Sequence, residues 1–135
     1  MRLNGKRGSF LLPFGLIHFA FGAAYIFPET TESTAKSIGF LLRLGVPVVI
    51  AGLPWVLSAI AAIAAAFDRG RDWYGFAALV AVHVAWTFVF LLSWVLGDNP
   101  RGYAWALMFA GLAWATYTVS GMVDPDSVKH PDVQK

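Results

Sequence analysis

Four blocks of apolar residues, each close to twenty residues long, constrain this chain more than any other feature of its sequence. They cover residues 10–27, 44–67, 73–96 and 103–123, and none of them contains Asp or Glu. An α-helix needs about 20 residues to cross about 30 Å of hydrocarbon, and a backbone in lipid must satisfy its own hydrogen bonds. The sequence therefore predicts an all-α integral membrane protein with four transmembrane helices.

The composition agrees with a lipid environment and excludes several functions. Of the 135 residues, 58% are hydrophobic and 13% are charged, whereas soluble domains carry about 25% charge. The net charge of +2 is too small and too scattered for a nucleic-acid-binding face. Because the chain has no cysteine, it has no thiolate metal site and no cysteine nucleophile, and we predict no metal site.

Short polar connections set the predicted topology. The segments 68–72 and 97–102 are rich in charge, Gly and Pro, which are turn signals. Such short connections make consecutive helices antiparallel neighbours. We therefore predict one membrane domain over residues 1–123, an antiparallel four-helix bundle. Residues 124–135 contain two prolines and five charges and are predicted to form a flexible cytoplasmic tail.

The distribution of Lys and Arg predicts the orientation, because cytoplasmic loops retain an excess of these residues. Leaving aside Arg43, seven lie on one predicted side and two, Lys36 and Arg101, on the other. The seven are Arg2, Lys6, Arg7, Arg69, Arg71, Lys129 and Lys135. Both termini are therefore predicted to lie in the cytoplasm, with the protein in the inner membrane.

One alternative concerns the first block. The basic head at residues 1–7 precedes an apolar stretch that reaches the small residues 22–24, which also resembles a cleavable signal peptide. Cleavage would leave three spans. The apolar run continues to Phe27 and exceeds the usual core of about 7–15 residues, which favours a retained anchor.

Three ionisable side chains inside or beside the blocks are candidates for an intramembrane polar site: His18, His83 and Arg43. The first and third blocks run in the same direction, so the two histidines are expected at similar depth. Matched histidines on different helices are what bis-histidine haem ligation needs, with Gly15 or Gly22 making room for the macrocycle. They also suit proton or ion handling, or structural hydrogen bonds to Ser or Thr of a neighbouring helix.

Arg43 has two interpretations. It can pair with a haem propionate, or it can anchor the outer end of its helix by reaching the headgroups. We expect prolines 13, 47 and 54 inside the first and second helices, where each removes a backbone donor and favours a kink.

Small residues at helical spacing form predicted helix-packing faces, because small side chains let helices approach closely in lipid. They can pack the protomer or join subunits. The members are Ser58, Ala62 and Ala66 in the second block and Ala106, Ala110, Gly111 and Ala115 in the fourth.

In overall profile the chain resembles multi-span phage holins and other small phage membrane proteins. The shared features are the basic head at residues 1–7, closely spaced Ala/Gly/Trp-rich spans, the terse 68–72 turn and the charged tail. The resemblance implies an oligomer that permeabilises the inner membrane so that a lytic enzyme escapes.

Two other functions stay open beside the holin-like one. The first is a non-enzymatic accessory or immunity-type subunit that binds another membrane protein. The second is a haem or ion site at His18 and His83. No HExxH, nucleotide-binding glycine loop or GxSxG motif is present, so the chain is not expected to be an enzyme or to need a cofactor other than that haem.

Overall fold

The structure is a computed structural model that describes residues 3–27 and 38–122. Within these ranges the chain is helical and contains no β-strand, so the all-α prediction is confirmed. In the described residues a five-residue helix and four long helices follow one another in the order α1 Gly5–Ile26, α2 Gly39–Arg43, α3 Val48–Ala65, α4 Trp73–Val95 and α5 Gly102–Ser120.

Three of the long helices, α1, α3 and α4, are long and apolar enough to cross a membrane. Helix α5 has 19 residues, but its tyrosine, tryptophan and threonine side chains lower its hydropathy, and it is not among the three. These helices make the chain a small membrane protein.

The helix ends differ from the predicted blocks where tertiary contacts intervene. Helix α1 begins at Gly5, five residues before the apolar block, so Arg7 is helical. The predicted kink at Pro47 is wrong, because this residue is the N-cap of α3 and lies outside the helix. Pro13 and Pro54 do lie inside helices. The predicted tail at 124–135 lies outside the described residues.

The long helices pack as two antiparallel pairs, α1 with α3 and α4 with α5. Helices α3 and α4 join the pairs, whereas α1 meets α4 over a short stretch. Helix α2 rests against α4. The bundle therefore consists of two helical hairpins, which meet mainly through the contact of α3 with α4.

A row of glycines sets the close approach of α1 to α3. Gly8, Gly15 and Gly22 are seven residues apart, or about two helical turns, and all three are buried. A Cβ on Gly8 would lie 2.4 Å from the backbone oxygen of Ala66, and one on Gly22 would lie 2.6 Å from a methyl of Val56. The absence of side chains at these positions therefore fixes the distance between the two helices.

Ion pairs close both ends of the bundle, which we call the Asp72 end and the Asp98 end. At the Asp72 end, Arg7 donates from Nε to Oδ2 of Asp72 at 2.6 Å and from Nη2 to Oδ1 at 2.8 Å. It also donates from Nη1 to the backbone oxygens of Ser120 and Met122. At the Asp98 end, Arg43 of α2 pairs with Asp98 in the turn after α4.

The core differs between the two halves. Toward the Asp72 end it is made of aliphatic, alanine and phenylalanine side chains, including Leu11, Phe76 and Leu79. Toward the Asp98 end it is dominated by larger aromatic side chains, including Trp55 and Trp86. The two histidines lie where these halves meet.

Candidate intramembrane polar site

The structure brings His18 and His83 together in the centre of the bundle. Their Nε2 atoms lie 3.0 Å apart, and each residue is about 1% exposed. His18 lies near the middle of α1 and His83 near the middle of α4, on the narrow stretch where these helices meet. The two histidines thus lie at the same depth, as the sequence predicts, and their imidazoles are in direct contact.

Ser58 of α3 extends the pair into a three-residue chain and assigns the proton positions. Its hydroxyl donates to the backbone oxygen of Trp55 at 2.9 Å, so it accepts at 2.7 Å from Nδ1–H of His18. With its proton on Nδ1, His18 accepts on Nε2 from Nε2–H of His83. Both imidazoles are then neutral, and Nδ1 of His83 is a bare acceptor.

Five buried polar atoms have no hydrogen-bond partner within the part of the chain that the structure describes. They are Nδ1 of His83, Nε1 of Trp55, Nε1 of Trp86, Oγ of Ser93 and Oδ2 of Asp98. An unpaired buried donor or acceptor costs about 1–3 kcal/mol. A cluster of them therefore needs an explanation, such as a functional site.

Aromatic side chains surround the two histidines. The His18 ring meets the Trp55 ring edge-on at 4.8 Å between centroids, and Trp55 meets Trp86 at 5.2 Å. Phe109 of α5 lies 6.0 Å from His83. These rings place the imidazoles in apolar surroundings, where a neutral hydrogen-bonded pair is favoured.

Arg43 lies apart from the histidines. It ends α2 at the Asp98 end, its side chain is 54% exposed, and its partner is Asp98. The structure therefore places it at a rim of the bundle, outside the histidine cluster.

The small-residue faces divide between the interior and the surface. Ser58, Ala62, Ala66 and Ala106 are buried, whereas Ala110, Gly111 and Ala115 are exposed. A Cβ added to Gly111 would meet nothing within 4 Å. Gly111 therefore faces away from the other described residues.

The geometry does not fit a haem between the histidines. Two imidazoles that bind a haem iron from opposite faces each place a nitrogen at about 2 Å from the iron, so these nitrogens lie about 4 Å apart. The 3.0 Å contact of the Nε2 atoms is shorter than this. Gly15 and Gly22, which were expected to make room for a macrocycle, face α3 at close distance.

Sequence reasoning did not place Trp55 and Trp86 in the site, nor Arg7 beside Asp72. A signal for Trp86 was present, because it follows His83 by three residues and shares its helix face. Trp55 precedes Ser58 by three residues and likewise shares its helix face. The Arg7–Asp72 pair joins residues 65 positions apart and carries no local signal.

We expect the hydrogen-bonded histidines to be energetically coupled. His18→Leu and His83→Leu should each lower the free energy of unfolding by about 1–2 kcal/mol, because each leaves its partner's buried nitrogen unpaired. The double variant should cost less than the sum of the two single variants. Unfolding of the purified protein in mixed micelles measures this, and strictly additive losses would contradict the coupling.

Comparison with protein-family models, with curated proteins and with solved structures found no match to this chain. No family is therefore assigned to it by similarity.

Proposed function

We propose that the chain is a non-enzymatic protein of the inner membrane with four spans and both termini in the cytoplasm. Helix α5 supplies the fourth span: its 19 residues are about 28 Å long, and it packs along α4. Seven of the nine Lys and Arg residues used for orientation then lie inside. A reporter fused after Lys135 should read cytoplasmic and one inserted near Thr31 external; the opposite pattern would contradict the orientation.

We further propose a holin-like function, in which copies of the chain associate and permeabilise the membrane. The observation that carries this proposal is the division of small residues between α3 and α5. On α3 Ser58 and Ala62 are buried, whereas on α5 Ala110, Gly111 and Ala115 are exposed. A small-residue face open to lipid permits close approach of another helix.

Association would supply the path for solutes, because large buried side chains occupy the centre of the described bundle. Its centre holds Trp55, Phe76, Leu79 and Phe109, each at most 2% exposed. Side chains of this size leave the interior of one protomer occupied, so solutes would have to pass between protomers. The exposed face of α5 is where we place that contact.

A groove between α4 and α5 favours the accessory-subunit function as a second candidate. It has a volume of about 290 Å³, opens to the surface and is lined by Val80, Val84, Thr87, Ala110, Ala113, Trp114 and Tyr117. An apolar groove between two helices suits the side chains of a partner's transmembrane helix. In this case the groove binds a different membrane protein, and expression alone is harmless.

The deciding experiment is induced expression in a bacterium, with and without a co-expressed lytic enzyme. A holin-like protein should cause delayed, abrupt loss of membrane potential and lysis that depends on the enzyme. Ala115→Leu, on the proposed contact face, should delay or abolish both effects. Ala64→Leu makes the same change on an exposed position of α3 and should leave them intact.

Steady growth with the wild-type protein correctly inserted would exclude the holin-like function. Crosslinking from the α5 groove should then recover another membrane protein, as the accessory-subunit function requires. Equal effects of the two alanine variants would contradict the assignment of the contact to α5.

A further inference from the structure

Unpartnered polar groups form a column along one side of α4. His83, Trp86 and Ser93 lie on its buried face, and Asp98 follows in the turn at the Asp98 end. Each carries a buried polar atom with no partner among the described residues. Ser93 lies ten positions after His83, a rise of about 15 Å, which is half of the roughly 30 Å of hydrocarbon. The column thus reaches from mid-membrane to one rim.

The other half of the bundle lacks such groups within the residues that the structure describes. Between the histidines and the Asp72 end, the core consists of apolar side chains such as Leu11, Phe76 and Leu79. The buried hydroxyl of Thr116 in this half donates to the backbone oxygen of Leu112 at 2.7 Å. The polar column is therefore one-sided.

The geometry points to water as the ligand of this column, and to the histidine pair as a proton-binding site that water reaches from the Asp98 end only. Buried waters typically make about three hydrogen bonds to polar groups that lack protein partners. The column offers donors at the Trp55 and Trp86 indoles and acceptors at Nδ1 of His83 and Oδ2 of Asp98. Polar residues at membrane depth commonly face water-filled paths.

The direction of the hydrogen bonds makes His83 the receiving group. Its Nδ1 is a bare acceptor facing the column, while its Nε2–H is already donated to His18. A hydronium ion that gives its proton to Nδ1 converts His83 to an imidazolium and leaves one water molecule behind. The chain then ends at the backbone oxygen of Trp55, which accepts from Ser58 and passes no proton onward.

No formally charged group faces the pair within the described part of the bundle. The residues around it are Phe14 of α1, Trp55 and Ser58 of α3, and Phe109 of α5. The ion pairs lie at the Asp72 and Asp98 ends. Proton uptake therefore depends on water access and on the second imidazole.

A cysteine pair tests the one-sided access, and the chain has no native cysteine to interfere. Ser93→Cys lies in the column, and Thr116→Cys lies near the opposite end; both parent residues are fully buried. The probe is Ag⁺ added to the full-length protein in nanodiscs, where both ends meet water. We expect fast labelling of the Ser93 variant and protection of the Thr116 variant.

Hydrogen exchange of the indoles tests whether water continues to the histidines. In the wild-type protein with labelled tryptophan, Nε1–H of Trp55 and Trp86 should exchange with solvent deuterium despite burial. Protection of both cysteines, labelling of both, or labelling of the Thr116 variant alone would overturn the proposal. Labelling at Ser93 with both indoles protected would also overturn it, because the path would then stop short of His83.

Discussion

Gly8→Ala is expected to lower the free energy of unfolding by about 2–4 kcal/mol, although alanine is the better helix former. The new methyl group would lie 2.4 Å from the backbone oxygen of Ala66, so backbone must move. That oxygen also accepts from the Asn4 backbone N–H at 2.8 Å, a bond worth about 1 kcal/mol that the displacement would break.

Gly111→Ala is the matched control, because Gly111 is also helical and nothing lies within 4 Å of a Cβ there. This variant should be neutral or more stable by up to about 1 kcal/mol, the helix-propensity gain of alanine over glycine. Thermal unfolding of both variants in the same detergent measures the difference. Equal behaviour of the two variants would show that the α1–α3 distance does not depend on the glycine row.

Arg7→Ala is expected to cost about 2–4 kcal/mol. Removing one partner of a buried ion pair costs about 3–5 kcal/mol, and we lower that range because the Arg7 side chain is 20% exposed. The change removes the bidentate contact to Asp72 and the hydrogen bonds to two carbonyls at the end of α5. It also removes the guanidinium from the face of Phe76, 4.9 Å away.

Arg43→Ala provides the control, because it removes an arginine from an ion pair at the opposite end of the bundle. Its side chain is 54% exposed, and exposed pairs contribute at most about 1 kcal/mol. Unfolding of both variants by the same denaturant gives the comparison. If Arg43→Ala destabilised the protein as much as Arg7→Ala, the ion pair at the Asp72 end would not contribute more to stability than the one at the Asp98 end.

The helices could be predicted from sequence because lipid leaves a long apolar segment only one way to satisfy its backbone. Their ends could not, because distant residues determine them. Helix α1 begins at Gly5, where Asn4 bonds to Ala66 and Arg7 pairs with Asp72. At α3 the helix begins directly after Pro47, and the kink prediction overlooked that a proline suits the start of a helix.

The candidate site was predictable in part. Counting residues placed His18 and His83 at one depth, because helical rise is uniform. Counting could not show that their Nε2 atoms face each other at 3.0 Å, since that depends on how each helix is oriented about its own axis. The glycine row carries this information: it fixes which side of α1 meets α3 and thereby which side His18 occupies.

The pairing of α1 with α3 and of α4 with α5 bears on how the chain is assembled during synthesis. Each long helix has its principal packing partner in the next or preceding long helix. The first hairpin can therefore bury its glycine row as soon as residues up to Ala65 have entered the membrane. The second hairpin, α4 with α5, is needed later. Its helix α4 supplies His83 and covers the side of the first hairpin that carries Trp55. If a translocon released the helices in pairs, each hairpin would enter the lipid with its two long helices already packed against each other.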